Sequence, residues 1–324
     1  MTDLFIILPL MSPFVENVGR IISLIIIGGG LLWLFINAYR GNDVDRRIIF
    51  LLILISVATP ILFPIEFKEK ATPVVKAVYD KIESLPAGSR VLISFDFDPA
   101  MAPEVQPMAN AITRHSLARG HKVIFMSLFA TGQALLTQSL NEVLVDDTIS
   151  WDKPFVEQRD YVNLGYKAGN EGVLNVIITD FKKMFPTDVK NTPYEEILAL
   201  NGINSCKDLD LVVSLGGGKP GVKEWVLYVG DQGDIPIAAG VAAVVAPQMY
   251  PYYPKQLIGI LGGVKGAAEY ESELVHNYKQ FENMDTPGLQ MMGPQTLAHI
   301  VILAFILIGN FSFFIIKSRK RREE

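Results

Sequence analysis

The stretch DLDLVVSLGGGKPGVKEWVLYV, Asp208–Val229, decides the fold. Its first half is a short run of apolar β-formers and its middle a glycine turn. Its second half carries apolar residues at helical spacing. An unbroken apolar strand that feeds a helix through glycines points to a parallel sheet covered on both faces. The unit recurs on either side. VLISFDF (91–97) leads into a helix that Pro103 opens and Gly120 closes, and KVIFMS (122–127) into a helix over 132–142. DYVNL (160–164) leads through GYKAGNEG to VLNVIITDFKKMF (173–185), read as one helix. IPIAAGVAAVV (235–245) and LIGIL (257–261) are further strands, the second followed by GGVKG and the helix AAEYESELVHNYKQF (267–281). With a first helix in TPVVKAVYDKIESL (72–85), residues 66–296 read as one α/β, Rossmann-like domain with a mostly parallel sheet. Ligands of such sheets sit beyond the carboxyl ends of the strands.

Composition says what surrounds this domain. The chain has 324 residues, 50% hydrophobic and only 19% charged, with a mean hydropathy of +0.29. That excludes a disordered chain and an ordinary fully soluble enzyme. A net charge of −5 argues against a nucleic-acid partner. The apolar excess lies at the ends. VGRIISLIIIGGGLLWLFINA (18–38), IIFLLILISVATPILFPI (48–65) and LAHIVILAFILIGNFSFFII (297–316) read as three transmembrane spans, two N-terminal and one C-terminal. Gly28, Gly29 and Gly30 would admit a neighbouring helix. Residues 1–17, interrupted by Pro9 and Pro13, are expected at the membrane interface. The tail 317–324 carries Lys317, Arg319, Lys320, Arg321 and Arg322, a cytoplasmic signal shared by Arg40, Arg46 and Arg47 between the first two spans. The expected arrangement is a multi-pass protein of the cell membrane with its large domain extracytoplasmic and its C-terminus cytoplasmic.

Four constellations carry chemistry. Gly216-Gly217-Gly218-Lys219-Pro220-Gly221 is a glycine turn between a strand and a helix. Its backbone suits a phosphate or carboxylate. Pro220 lacks an N–H, and no acid ends the next strand to hold a ribose, so a dinucleotide is disfavoured. Gly262-Gly263-Val264-Lys265-Gly266 repeats the pattern. If the two strands are neighbours, Lys219 and Lys265 would meet on one anion. Tyr250, Tyr252 and Tyr253 in MYPYYPK stand between prolines that bar a regular element, and with Tyr166 they are candidate partner contacts.

The fourth is Ser94-Phe95-Asp96-Phe97-Asp98-Pro99. Asp96 and Asp98 at the end of a buried strand resemble the D-x-D of haloacid-dehalogenase-type phosphohydrolases. Ser127 stands where that family keeps its phosphate-binding hydroxyl. The resemblance implies an attacking aspartate, a second as acid/base, and magnesium, with Asp231 and Asp234 as loose matches to the metal-binding acids. No catalytic lysine can be placed, and Pro99 and Asp98 also read as a turn before the following helix. The four histidines show no zinc spacing, and the single cysteine, Cys206, has no basic neighbours in sequence.

The leading reading is therefore a non-catalytic, membrane-anchored binding domain without a cofactor. It would be one subunit of a cell-envelope membrane complex or homo-oligomer, contacting the lipid bilayer and recognising a partner or a small anionic ligand. The alternative is an extracytoplasmic phosphohydrolase using Asp96 and Asp98.

Overall fold

The structure is a computed structural model that describes residues 13–40, 42, 45–63 and 69–323. It begins with helices α1 (Pro13–Arg40), α2 (Arg46–Leu62) and α3 (Pro73–Ser84). Alternation follows: β1 (Arg90–Asp96), α4 (Ala102–Ala118), β2 (Lys122–Ser127), α5 (Gly132–Leu144), β3 (Tyr161–Tyr166) and α6 (Glu171–Ile177). The second half runs β4 (Leu211–Gly216), α7 (Val222–Trp225), β5 (Ile237–Val241), β6 (Leu257–Gly262), α8 (Gly263–Asn277) and α9 (Pro287–Glu323). These form two compact units, 1–67 with 290–324 and 68–289.

The unit 68–289 is the α/β domain. Its sheet has six parallel strands in the order β3-β2-β1-β4-β5-β6, so the direction of winding reverses between β1 and β4. Alternate residues of each strand enter opposite layers. Val91, Ile93 and Phe95 meet α3, α4, α5 and α8, whereas Leu92, Ile124 and Val212 meet α6, Trp225 and Val229. Burial on both faces is why the strands are apolar runs rather than alternating ones.

Helix α4 lies inside over most of its length, with every residue from Val105 to Leu117 buried. Its polar positions therefore need partners. Asn110 Nδ2 donates to Glu142 at 2.6 Å and Ser139 Oγ to Asn110 Oδ1 at 2.6 Å. Arg114 pairs with Asp146 at 2.7 Å. The segment read as one helix over 173–185 is two, α6 and Phe181–Met184. Asp180 causes the break: its carboxylate accepts from the Lys183 amide at 2.9 Å and starts a new helical turn. The helix expected over 222–229 widens after α7 into a π-helical turn, Val226–Gly230.

In the other unit the expectation of three spans is corrected. Among the described residues two helices are long and apolar enough to cross a membrane, Asn17–Arg40 and Pro287–Ile315. The second expected span is α2, whose 17 residues reach about 26 Å at about 1.5 Å per residue, against a core of about 30 Å. Pro60 stands near its end, and residues 64 and 65 lie outside the described ones. The boundaries also move. Most of the expected interfacial segment, residues 1–12, lies outside the described residues, while Pro13–Asn17 already belong to α1. Helix α9 starts ten residues before Leu297 and carries the basic tail to Glu323. Of the three glycines in α1, Gly30 faces α2 closely: a Cβ there would lie 2.5 Å from Leu52, whereas Gly28 and Gly29 have open space. Phe35 stacks on Phe311 of α9 at 5.5 Å.

Candidate functional site

Strands β1 and β4 are in register with Asp96 opposite Gly216, so the acid-rich and glycine-rich stretches meet at the winding reversal. Asp96 is fully buried. Its Oδ1 accepts from Ser94 Oγ and from the Leu128 amide, both at 2.8 Å, and its Oδ2 from the indole Nε1 of Trp225 at 2.8 Å. Burial pushes its carboxyl up to about 6 despite these three donors, and the charge of Glu224 adds to the rise. The side chain thus ties the end of β1 to the loop after β2 and to α7. Both oxygens are committed.

Ser127 is committed in the same way. Its Oγ lies 2.6 Å from the Phe95 carbonyl and 2.7 Å from that of Phe129, and accepts from the Phe129 amide at 3.0 Å. Asp98 makes an Asx turn, with Oδ1 accepting from the amides of Ala100 at 3.0 Å and Met101 at 3.2 Å, and so opens α4. The structure brings Asp96 and Ser127 to one place, but points their polar atoms into the protein. Asp231 lies outside this group and accepts from Gln256 at 2.9 Å.

The glycine loop is shaped by its neighbours rather than by backbone twist, since Gly216, Gly217, Gly218 and Gly221 all avoid positive φ. A Cβ on Gly216 would lie 2.4 Å from the Asp96 carbonyl oxygen, and one on Gly217 would lie 3.0 Å from Met101 Sδ. Gly218 and Gly221 are as tightly placed, at 2.9 Å from Phe129 and 2.7 Å from the Gly218 carbonyl. Met101 and Phe129 thereby fill the crevice on one side of the loop. Beside the loop lies an open cleft of about 210 Å³, lined by Gly216–Lys219, Val222–Glu224, Val245, Gln248 and Met249. That is below the roughly 300–1,000 Å³ of sites for larger ligands, so it suits a group of a few atoms and not a dinucleotide.

Lys219 and Lys223 stand exposed beside this cleft. Lys219 pairs with Glu171, at the start of α6, at 3.1 Å. Glu224 faces inward, 7% exposed, and its Oε2 accepts from the Gly221 amide at 2.9 Å, which fixes the loop onto α7.

The second glycine–lysine turn is elsewhere. Strand β5 separates β4 from β6, so the condition for Lys219 and Lys265 to share an anion fails. Lys265 instead pairs with Glu69 at 3.0 Å and Glu269 at 3.1 Å. Gly263 is the one position here that uses glycine's backbone freedom, at φ +62°, while Gly262 packs on Ala246. The tyrosine loop is more regular than expected. Ala246–Met249 form a helical turn and Tyr250–Tyr252 a 3-10 turn, since a proline early in each turn needs no N–H there. Tyr250 is 52% exposed and Tyr166 40%, whereas Tyr252 and Tyr253 lean on the core.

Sequence reading missed Trp225 and Glu224. Trp225 stands 129 positions from its partner Asp96, and no local pattern joins them. Among the described residues no cluster of His, Cys, Asp or Glu is placed to hold a metal ion. Comparison with known protein families finds no match, and no curated protein matches the sequence.

Proposed function

We propose that the chain is a membrane-anchored binding domain, a non-catalytic subunit of a cell-envelope membrane assembly, which takes a small anionic group of a ligand or partner at the Gly216–Lys219 cleft. The observation that carries this reading is the division of labour at the winding reversal. The groups that would do chemistry there, Asp96 and Ser127, are buried and engaged by the protein itself. The cleft beside the same loop is lined by its glycines with Val222, Val245, Gln248 and Met249, and Lys219 and Lys223 stand exposed at it.

The domain is extracytoplasmic in this proposal. What supports this is the run of basic residues after Ile316, on the far side of α9 in sequence from the domain, a pattern that favours the cytoplasm for the tail whether or not α2 crosses.

Titrating the purified full chain with inorganic phosphate and with short carboxylates, followed by calorimetry, tests the site. Binding that Lys219→Glu abolishes supports the proposal, and absence of binding refutes its anionic-ligand half. Crosslinking in native membranes tests the assembly half, which a lone monomer would refute. Magnesium-dependent hydrolysis of a generic phosphate ester, lost in Asp96→Asn, would replace the whole reading by a phosphohydrolase.

A further inference from the structure

Both ends of the domain are fastened to helix α8, in its first half. On the incoming side the buried Glu269 accepts from the Thr72 amide at 2.8 Å and the Thr72 hydroxyl at 2.7 Å, with Lys265 at 3.1 Å as its counter-ion. Lys265 also holds Glu69. On the outgoing side Glu271, fully buried, accepts at Oε1 from the Gly288 amide at 3.2 Å and at Oε2 from the Leu289 amide at 2.9 Å. These two amides belong to the first turn of α9, where helical N–H groups have no partners of their own. The approach is close: a Cβ on Gly288 would lie 2.9 Å from the Ala268 amide nitrogen.

Helix α9 converts this fastening into a depth. Its apolar stretch Pro287–Ile315 rises about 43 Å at about 1.5 Å per residue, which matches a bilayer with its polar layers, about 40–45 Å. With that stretch across a membrane, Gly288 and Leu289 stand at headgroup level. Their bonds to Glu271 then hold the first half of α8 at the same level.

One loop of the domain shares this edge. Strands β5 and β6 run parallel with Val241 opposite Gly262, so the chain leaving β5 and the start of α8 emerge side by side. They touch: a Cβ on Gly263 would lie 2.7 Å from Ala243 Cβ, and one on Gly262 2.9 Å from Ala246 Cβ. From Ile235 to Pro254 the chain carries no charged residue. Ala243, Val244, Pro247, Tyr250 and Pro251 are nevertheless exposed, Val244 to 79%. Scattered exposed apolar side chains are ordinary on a soluble surface. A contiguous run of them without a charge marks a contact surface.

We propose that the loop 243–251 is a membrane-contact surface, lying in the interfacial layer of the leaflet at which α9 begins, with lipid as its occupant. This rests on the membrane-anchored reading above. Val244 and the two prolines withdraw apolar surface from water among the headgroups. Tyr250 suits that level, with an apolar ring and a wet hydroxyl. Lipid is the occupant because the tethers on α8 bring this loop to the headgroups with no partner required.

Fluorescence quenching of the full chain in phosphatidylcholine nanodiscs tests this. Val244→Cys carries an environment-sensitive fluorophore, and Cys206, being buried, stays unlabelled. Val145→Cys is the reference: Val145 is 72% exposed and follows α5, which returns the chain to the opposite edge of the sheet. Ile300→Cys in α9 reports the anchor itself. Lipid with a nitroxide on its upper acyl chain should remove about half or more of the emission at Val244 and spare Val145, and aqueous iodide should do the reverse. Iodide quenching at Val244 as strong as at Val145 overturns the proposal. So does protection from iodide without nitroxide quenching, which means that protein, a second copy included, covers the loop. In both cases nitroxide quenching at Ile300 leaves the membrane-anchored reading standing. An Ile300 label that the nitroxide lipid does not reach overturns that reading and the proposal together. Tyr250→Cys repeats the measurement should the Val244 variant not fold.

Discussion

Replacing Trp225 by phenylalanine probes how the winding reversal is held together. The change removes the indole N–H that reaches Asp96 Oδ2 at 2.8 Å and leaves a smaller ring in a fully buried place. A hydrogen bond to a charged group contributes about 1.5–3 kcal/mol, and the void adds on the order of 1 kcal/mol. At pH 8 the penalty should be about 2.5–4 kcal/mol. Asp96, raised from 3.8 to about 6 by burial, is ionised there. At pH 5 it is mostly protonated and needs its donors less. The sign follows from linkage. A folded value above the unfolded one gives stability that is complete below about 3.8 and lost as pH rises through about 6. Removing a donor pushes the folded value higher still, so the gap between wild type and variant widens above pH 6. A further rise of one to two units corresponds to about 1.4–2.7 kcal/mol. Urea unfolding of the full chain in detergent, followed by far-UV circular dichroism at pH 5 and pH 8, measures it. An equal penalty at both pH values would refute the account of Asp96 as an ionisable tie. So would a widening gap that survives in the Asp96→Asn background.

Three further outcomes are expected. Gly216→Ala should cost about 3 kcal/mol or more, because its Cβ would sit 2.4 Å from a backbone oxygen. Gly88→Ala, with open space but φ +87°, should cost only about 1 kcal/mol; chemical denaturation of both variants ranks them. Cys206 is buried and burial pushes its thiol up, so an impermeant maleimide should label it only after unfolding. Sidedness is read instead from Lys219→Cys in a Cys206→Ala background, which should label in intact cells if the domain is outside. Glu171→Gln frees Lys219 from its 3.1 Å partner; calorimetry with inorganic phosphate should show several-fold tighter binding and an unchanged melting midpoint, whereas unchanged affinity would remove Lys219 from the site.

What could be read in advance was whatever short-range pattern encodes. Strands buried on both faces spell themselves as apolar runs, and KVIFMS matches β2 residue for residue. Pairings across the sheet are not encoded locally, so the separation of Lys219 from Lys265 by β5 needed the strand order. Helix α4 shows the same limit from the other side. Its Gln106, Asn110 and Arg114 look like a solvent face, yet all are buried because α5 and the segment around Asp146 cover them. The site divides likewise. The glycine loop was visible as a turn, and the Asx turn of Asp98 as an alternative to catalysis. That Asp96 spends both oxygens on Ser94, Leu128 and Trp225 depends on residues up to 129 positions away. The 17-residue length of α2 was masked by apolar residues that continue beyond the helix.

The anchoring of α8 also sets where the chain can be cut for work in solution. A fragment that starts after Thr72 discards the donors of Glu269, and one that stops at Asp285 discards those of Glu271. The first leaves Glu269 with Lys265 alone, and the second uncovers Glu271. The sequence boundaries 66–296 enclose both sets of donors, whereas a cut at the first strand or at the end of α8 removes them. A soluble fragment of this protein must carry short lengths of both tethers, from Glu69 at one end to just past Leu289 at the other.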